Sequence, residues 1–276
     1  MEYLIFNGEI IRNTALITTN NRAFRYGDGL FESMRYTRGS IQFLSQHLIR
    51  LQGGMHLLGY NYCDCLEQNQ VSQYVADLVA KNQIEGAARI RLSVFRKDGG
   101  LYAPISDDFD FIIEIEPLSQ ANFYLENKGL IIGISKKVKK DIGPLSKIKS
   151  NNALIQVLAA REGKMQKWDD ALLLNEQGTI AEATSSNLFI VKDKNIFTPP
   201  LSDGAMDGIM RQQIAQIVKR SKFTLRIKSL KPSDIELADE VFLTNAIKGV
   251  VWVVGFGKKR FYNNAAKELT KLLNDI

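Results

Sequence analysis

Apolar and polar residues alternate in short runs at the start of the chain. Tyr3 to Phe6 reads as a strand running into the turn Asn7-Gly8, and Gly29 to Tyr36 reads as a second strand. From Ser45 to Leu58 the period changes. Leu48, Leu51, Met55 and Leu58 recur at three and four residues, as one face of a helix does. A second helix fits Leu66 to Lys81. Alternation returns in Ala88 to Arg96 and in Phe109 to Glu116, either side of the turn Asp98-Gly99-Gly100. The pattern predicts a sheet with its helices segregated to one side.

Between residues 118 and 128 the periodicity lapses, which places a linker there. Residues 1–117 are expected to form a smaller N-terminal α/β domain, and 129–276 a larger, β-rich C-terminal one. Strands are predicted at Gly129 to Ser135, Asp170 to Leu174, Asn187 to Val191, Phe223 to Ile227, Glu240 to Leu243 and Val250 to Val254. Helices are predicted at Asn151 to Gln166, at Met206 to Arg220, and at the end, where Ala265, Leu269, Leu272 and Leu273 form a stripe. No internal repeat or low-complexity tract interrupts the series. The expected fold class is α+β, built from two α/β-type domains.

Composition narrows the chemistry. The chain has 276 residues, 45% of them apolar, with 36 Lys and Arg against 30 Asp and Glu, a formal charge of +6. His47, His56, Cys63 and Cys65 are its whole supply of imidazole and thiol. That is too few, in settings too different, for a zinc site, and no metal is expected. The two cysteines are expected to be reduced, inert thiols of a cytoplasmic protein. No run approaches the roughly 20 apolar residues of a membrane span, and Met1-Glu2-Tyr3 opens directly into a strand pattern. Acid-base or nucleophilic work therefore falls on Lys, Asp, Glu, Ser or Tyr.

Lys136, Lys137, Lys139, Lys140, Lys147 and Lys149 crowd into fourteen positions. Without Arg or a stacking aromatic among them, they read as a solvated face rather than a nucleic-acid footprint, so a basic nucleic-acid-binding protein is the weaker, non-enzymatic reading. Lys149 stands apart by position. The extended segment Leu145 to Ile148 gives way there to a helix, and a lysine at such a junction can be desolvated, which disfavours its ammonium form. Glu182 is a single carboxylate among small and hydroxylated residues, Gly178 to Asn187, and if buried it needs a cationic partner. Asp207-Gly208-Ile209-Met210-Arg211 opens a helix whose free N–H groups form a generic anion site. Asp239 to Ala246 is a strand ending in small polar residues. His47 and Arg50 share a helix face, from which the arginine can fork onto a phosphate.

In this order, the segments Asn21 to Ser33, His47 to Leu51, Ile148 to Asn152, Glu182, Gly208 to Arg211 and Asp239 to Ala246 resemble the fold-type IV, class-IV pyridoxal-phosphate enzymes. That family includes branched-chain and D-amino acid aminotransferases and 4-amino-4-deoxychorismate lyase. The resemblance implies the D-amino acid aminotransferase-like architecture, pyridoxal 5'-phosphate as cofactor, and a homodimer with its active site in the interdomain crevice, bordered by a loop of the partner. It implies that Lys149, in the C-terminal domain, is the Schiff-base lysine and proton shuttle, and that Glu182 pairs with the pyridine nitrogen. Arg50 and the N–H groups of Ile209 and Met210 would take the phosphate, which Asn245 and Ala246 close from the far side.

Details of the resemblance lie nearer the lyase, which eliminates pyruvate to leave 4-aminobenzoate for folate biosynthesis. Gly208-Ile209-Met210-Arg211-Gln212 has Met where the aminotransferases usually carry Thr, and Thr244-Asn245-Ala246 and Asp28 to Ser33 are also lyase-like. The Gly-Gly-Arg-Gly-Tyr loop of some lyases is here Gly99-Gly100-Leu101-Tyr102, without the arginine. The substrate carboxylate then falls to Arg91 or Arg96, which lie on opposite faces of one strand, with Phe31 a further substrate-side residue. A class-IV amino-acid aminotransferase is the alternative. Both reactions begin with Lys149 removing the proton from the amine-bearing carbon.

Overall fold

The computed structural model describes residues 1–14, 17–61 and 63–276. The chain divides into two compact units. The first comprises Met1–Ala121 with Ile148–Asn152, the second Asn122–Lys147 with Ala153–Ile276. The division after Ala121 falls within the expected linker. The second excursion differs from expectation: Lys149 clusters with the N-terminal unit, not the C-terminal one.

In the first unit β1 (Tyr3–Phe6), β2 (Glu9–Arg12), the one-turn α1 (Arg22–Tyr26), β3 (Gly29–Thr37), β4 (Ser40–Ile41), α2 (Leu44–Leu57), α3 (Gln68–Lys81), β5 (Ala87–Arg96) and β6 (Phe109–Leu118) follow in sequence. The six strands form one antiparallel sheet in the order β2-β1-β6-β5-β3-β4. Leu48, Leu51 and Met55 of α2 and Val71, Val75 and Leu78 of α3 join Ile90, Leu92, Val94, Ile113 and Ile115 in a single hydrophobic cluster. The helical period and the strand period thus meet on one face. Along β3 the buried side is Leu30, Glu32 and Met34, so a carboxylate stands in the apolar row.

The second unit contains β7 (Leu130–Ile134), α4 (Leu154–Met165), β8 (Asp170–Leu174), β9 (Ile180–Ala183), β10 (Asn187–Lys192), β11 (Asn195–Thr198), α5 (Ile209–Ile217), β12 (Thr224–Ile227), α6 (Pro232–Leu237), β13 (Glu240–Asn245), β14 (Gly249–Phe256), β15 (Lys259–Arg260) and α7 (Asn264–Asn274). Its sheet runs β12-β11-β10-β13-β14-β7-β8-β9, with β15 beside β14. The β11–β12, β14–β7 and β7–β8 pairs are parallel and the rest antiparallel. Ile132, Leu172, Leu188, Leu243 and Val253 form its core.

Several boundaries differ from expectation. Pro144–Lys147 is a 3-10 turn, not an extended segment, and α4 begins at Leu154 after the irregular stretch Lys149 to Ala153. Cys63 and Cys65 are joined by a disulfide, against the expectation of free thiols. A short 3-10 helix, Asp64–Leu66, draws their Cα atoms to 5.2 Å, within the range a disulfide bridges. Tyr62 between them lies outside the described residues. No helix among the described residues is long and apolar enough to cross a membrane.

Candidate active site

Lys149 is positioned by β3. The Phe31 N–H donates to the Lys149 carbonyl at 2.9 Å, the Asn151 N–H donates to the Gly29 carbonyl at 2.9 Å, and Leu30 and Ser150 form an antiparallel bridge. Segment 148–152 is therefore held against the start of β3 by a single antiparallel bridge. Close approach requires glycine here: a Cβ on Gly29 would lie 2.6 Å from Asn151 Nδ2 and 3.0 Å from the Val94 carbonyl oxygen. The Lys149 side chain is half-buried, with its Nζ 4.1 Å from the centre of the Phe31 ring. The Arg91 guanidinium packs on the same ring at 3.8 Å.

Glu32, 1% exposed, holds the next part of the site. Its Oε1 accepts from Arg50 Nε at 2.8 Å, and its Oε2 accepts from Arg50 Nη2 at 2.6 Å and from His47 Nδ1 at 2.7 Å. Burial alone would raise this carboxyl. The hydrogen bonds from His47 and Arg50, with the charge of Arg50, outweigh it, and the group lies below its ordinary value of 4.5. Burial pulls His47 below 6.5, with Glu32 opposing in part, so the imidazole is neutral and its Nδ1 carries the proton toward Glu32. His47 Nε2 is buried without a partner.

In the second unit the β8–β9 hairpin presents Glu182. Asn175 Oδ1 caps the turn by accepting from the N–H groups of Gln177 and Thr179, while Asn175 Nδ2 donates to Thr179 Oγ1. Glu182 Oε2 accepts from the Met206 N–H at 2.8 Å, and Asn187 Nδ2 donates to the Met206 carbonyl at 2.8 Å. The carboxylate is thereby tied to the loop that enters α5. Gly208 caps that helix with no side-chain hydrogen bond, so the first N–H groups of α5 have no side-chain acceptor from their cap. A Cβ on Gly208 would sit 1.9 Å from Asn187 Oδ1, so only glycine fits. Ile209 and Met210 bury their side chains in the core and can offer a ligand only their backbone.

Among the other expected residues, Asn245 has its side chain engaged locally: Oδ1 accepts from the N–H groups of Ile247 and Lys248, and Nδ2 donates to Ser186 Oγ. Ala246 follows it in the same turn. Beside them Thr244 Oγ1 is buried with no partner. Arg96 differs from expectation. It is buried, and its guanidinium donates to Asp28 at 3.1 Å, to Asp107 and to the Leu58 carbonyl. Those bonds hold the start of β3, leaving Arg91 as the arginine beside Phe31 and Lys149. Arg22 went unremarked in the sequence. It bonds Asp28 and the carbonyls of Gly99, Leu101 and Tyr102, fixing the loop that lacks the arginine some lyases carry.

The family model for amino-transferase class IV matches residues 29–256, and the chain belongs to that family, whose enzymes in general depend on pyridoxal phosphate. It is 28% identical over 243 residues to an aminodeoxychorismate lyase of Vibrio harveyi, covering 87% of each chain. It is also 28% identical over 256 residues to a branched-chain-amino-acid aminotransferase of Escherichia coli, covering 88% of this chain and 81% of that one. Among solved structures, the Escherichia coli branched-chain aminotransferase superposes with a TM-score of 0.88 at 25% identity over 98% of this chain and 92% of its own. A structure provisionally assigned as a 4-amino-4-deoxychorismate lyase from Legionella pneumophila gives 0.85 at 25% identity, with 95% and 96% covered. Each unit taken by itself carries groups that suit the cofactor: the first a half-buried amine at Lys149, the second a helix start without a side-chain cap, an unpartnered buried hydroxyl at Thr244 and a buried carboxylate at Glu182.

Proposed function

We propose that this protein is an aminodeoxychorismate lyase, which releases pyruvate from 4-amino-4-deoxychorismate and leaves 4-aminobenzoate. The observation that carries the reading is Met210, 1% exposed in the first turn of α5. It offers no hydroxyl where the aminotransferases that this chain resembles usually carry Thr. The Vibrio harveyi relative is an aminodeoxychorismate lyase, which supports the same choice. A class-IV amino-acid aminotransferase is the second reading, favoured by the equal identity to the Escherichia coli enzyme.

In this reading Lys149 would hold the cofactor through Nζ, Arg50 and the N–H groups of Ile209 and Met210 would take its phosphate together with Asn245 and Ala246, and Glu182 would pair with its ring nitrogen. Bound pyridoxal phosphate supplies an electron sink for the carbon that loses its proton. Once its Nζ is freed by the substrate amine taking its place, Lys149 would remove that proton, and the Phe31 ring against which it packs limits the water around it. Arg91, beside the same ring, meets a substrate carboxylate. The Glu32 fork fixes the orientation of the Arg50 guanidinium. We also propose a homodimer acting in the cytoplasm, supported by the exposed apolar residues of α4.

The deciding experiment supplies 4-amino-4-deoxychorismate to the purified protein and measures pyruvate and 4-aminobenzoate. Both should form in equal amounts, and Lys149→Ala should form neither. No pyruvate, together with turnover of an amino acid and 2-oxoglutarate, would give the second reading its place.

A further inference from the structure

Lys140 belongs to the lysine run that the sequence assigns to a solvated face, yet it is only 5% exposed. Its Nζ lies 2.7 Å from Glu182 Oε1. The backbone fixes it there, because its N–H donates to the Leu174 carbonyl at 2.8 Å and Lys140 bridges Asn175 at the end of β8. The loop before α5 closes over this point: Gly204 has φ +89°, and a Cβ on it would sit 2.5 Å from the Asp141 carbonyl oxygen. Nearby Asp203 accepts from Thr179 Oγ1 at 3.1 Å, so Glu182 is the carboxylate bonded to the lysine. Lys136, Lys137 and Lys139 remain exposed, which makes Lys140 the buried exception in its run.

A carboxylate accepts about four hydrogen bonds. Glu182 takes one at each oxygen, from Lys140 and from Met206, and keeps lone pairs for a further donor. We propose that Lys140 is the positioning residue for Glu182, holding the carboxylate in one orientation and balancing its charge so that it meets a ring-nitrogen proton without rearranging. This rests on the reading that Glu182 faces the cofactor's ring nitrogen, and is independent of which reaction follows. A buried carboxylate with one donor removed rotates or loses its charge, and either change weakens its hold on a cationic ring.

The test is a double-mutant cycle on pyridoxal phosphate binding, read by fluorescence titration of the apo-protein and by the absorption band of the loaded protein. Lys140→Met should weaken binding by about tenfold or more, the loss of one charge-assisted hydrogen bond, and displace the band. Lys140→Arg should restore most of both. In a Glu182→Gln background, Lys140→Met should change affinity by less than about twofold and leave the band where Glu182→Gln alone puts it, because no carboxylate remains to orient. Equal losses in both backgrounds, or an unmoved band and affinity in Lys140→Met, overturn the proposal. Should Lys140→Met alone fail to fold, the comparison of Lys140→Met/Glu182→Gln with Glu182→Gln decides in the same way, since neither leaves an unpaired carboxylate at 182. A wild-type protein that takes up no pyridoxal phosphate overturns the cofactor assignment and this proposal together. A wild type that binds it with an additive cycle overturns this proposal alone.

Discussion

At the scale of single residues, Glu32 fixes the arginine that we propose for the phosphate. A carboxylate in the buried row between Leu30 and Met34 requires cationic or hydrogen-bonding partners, and α2 supplies them in His47 and Arg50. The sequence held that signal, since Glu32 breaks an apolar alternation and His47 and Arg50 share a face of the next helix. The fork between them required the fold. Both Glu32 and His47 have folded values below their ordinary 4.5 and 6.5. The unfolded chain therefore binds protons more readily on acidification: the His47 contribution is complete above 6.5 and the Glu32 contribution above 4.5, each lost as pH falls through the group's folded value. Glu32→Gln should cost about 3 kcal/mol by leaving Arg50 without its counter-charge, and should remove the part of the acid limb below 4.5. Urea unfolding across roughly pH 2.5 to 8, which reaches below the ordinary carboxyl value, reads both effects. An unchanged midpoint and slope would rule out the role given to Glu32.

At the scale of elements, the placing of Lys149 depends on segment 148–152 pairing with the first residues of β3. Gly29→Ala is the sharpest probe. Its Cβ would meet Asn151 Nδ2 and the Val94 carbonyl, and relief requires segment 148–152 to withdraw. The expected outcome is a stability loss of about 1–3 kcal/mol, typical of overpacking, and a fall in kcat of at least about tenfold with the protein still folded. Circular dichroism with steady-state kinetics checks it, and wild-type kcat would show that the pairing does not position the lysine. Strand and helix periods were legible because they are local. Leu48, Leu51 and Met55 announce α2 wherever it packs. The 3-10 turn Pro144–Lys147 was not legible, because Pro-Leu-Ser-Lys is too short to report either period.

At the scale of the whole molecule, the chain passes between its two units three times, after Ala121, Lys147 and Asn152, and the middle excursion carries the lysine. On α4, Leu154, Val157 and Leu158 recur at three and four residues and are all exposed, an apolar face that a second copy of the chain would cover. Light scattering at micromolar concentration should give twice the mass of the chain, and Val157→Glu should shift it toward monomer. A monomeric wild type would remove the homodimer from the proposal.

What the sequence determined by itself was most of what is local: the α+β class, most of its elements, the order of the motifs, and, with only two histidines and two cysteines, a chemistry left to Lys, Asp, Glu, Ser or Tyr. The tertiary structure alone decided which of these residues meet. It moved Lys149 into the first unit, engaged Arg96 with Asp28, and placed Lys140 against Glu182. Periodicity and turn chemistry act over a few residues, so one strand of sequence carries them. Partners forty or more positions apart, such as Lys140 and Glu182 or Arg96 and Asp28, are chosen by sheet register and burial, which exist only once the chain has closed on itself.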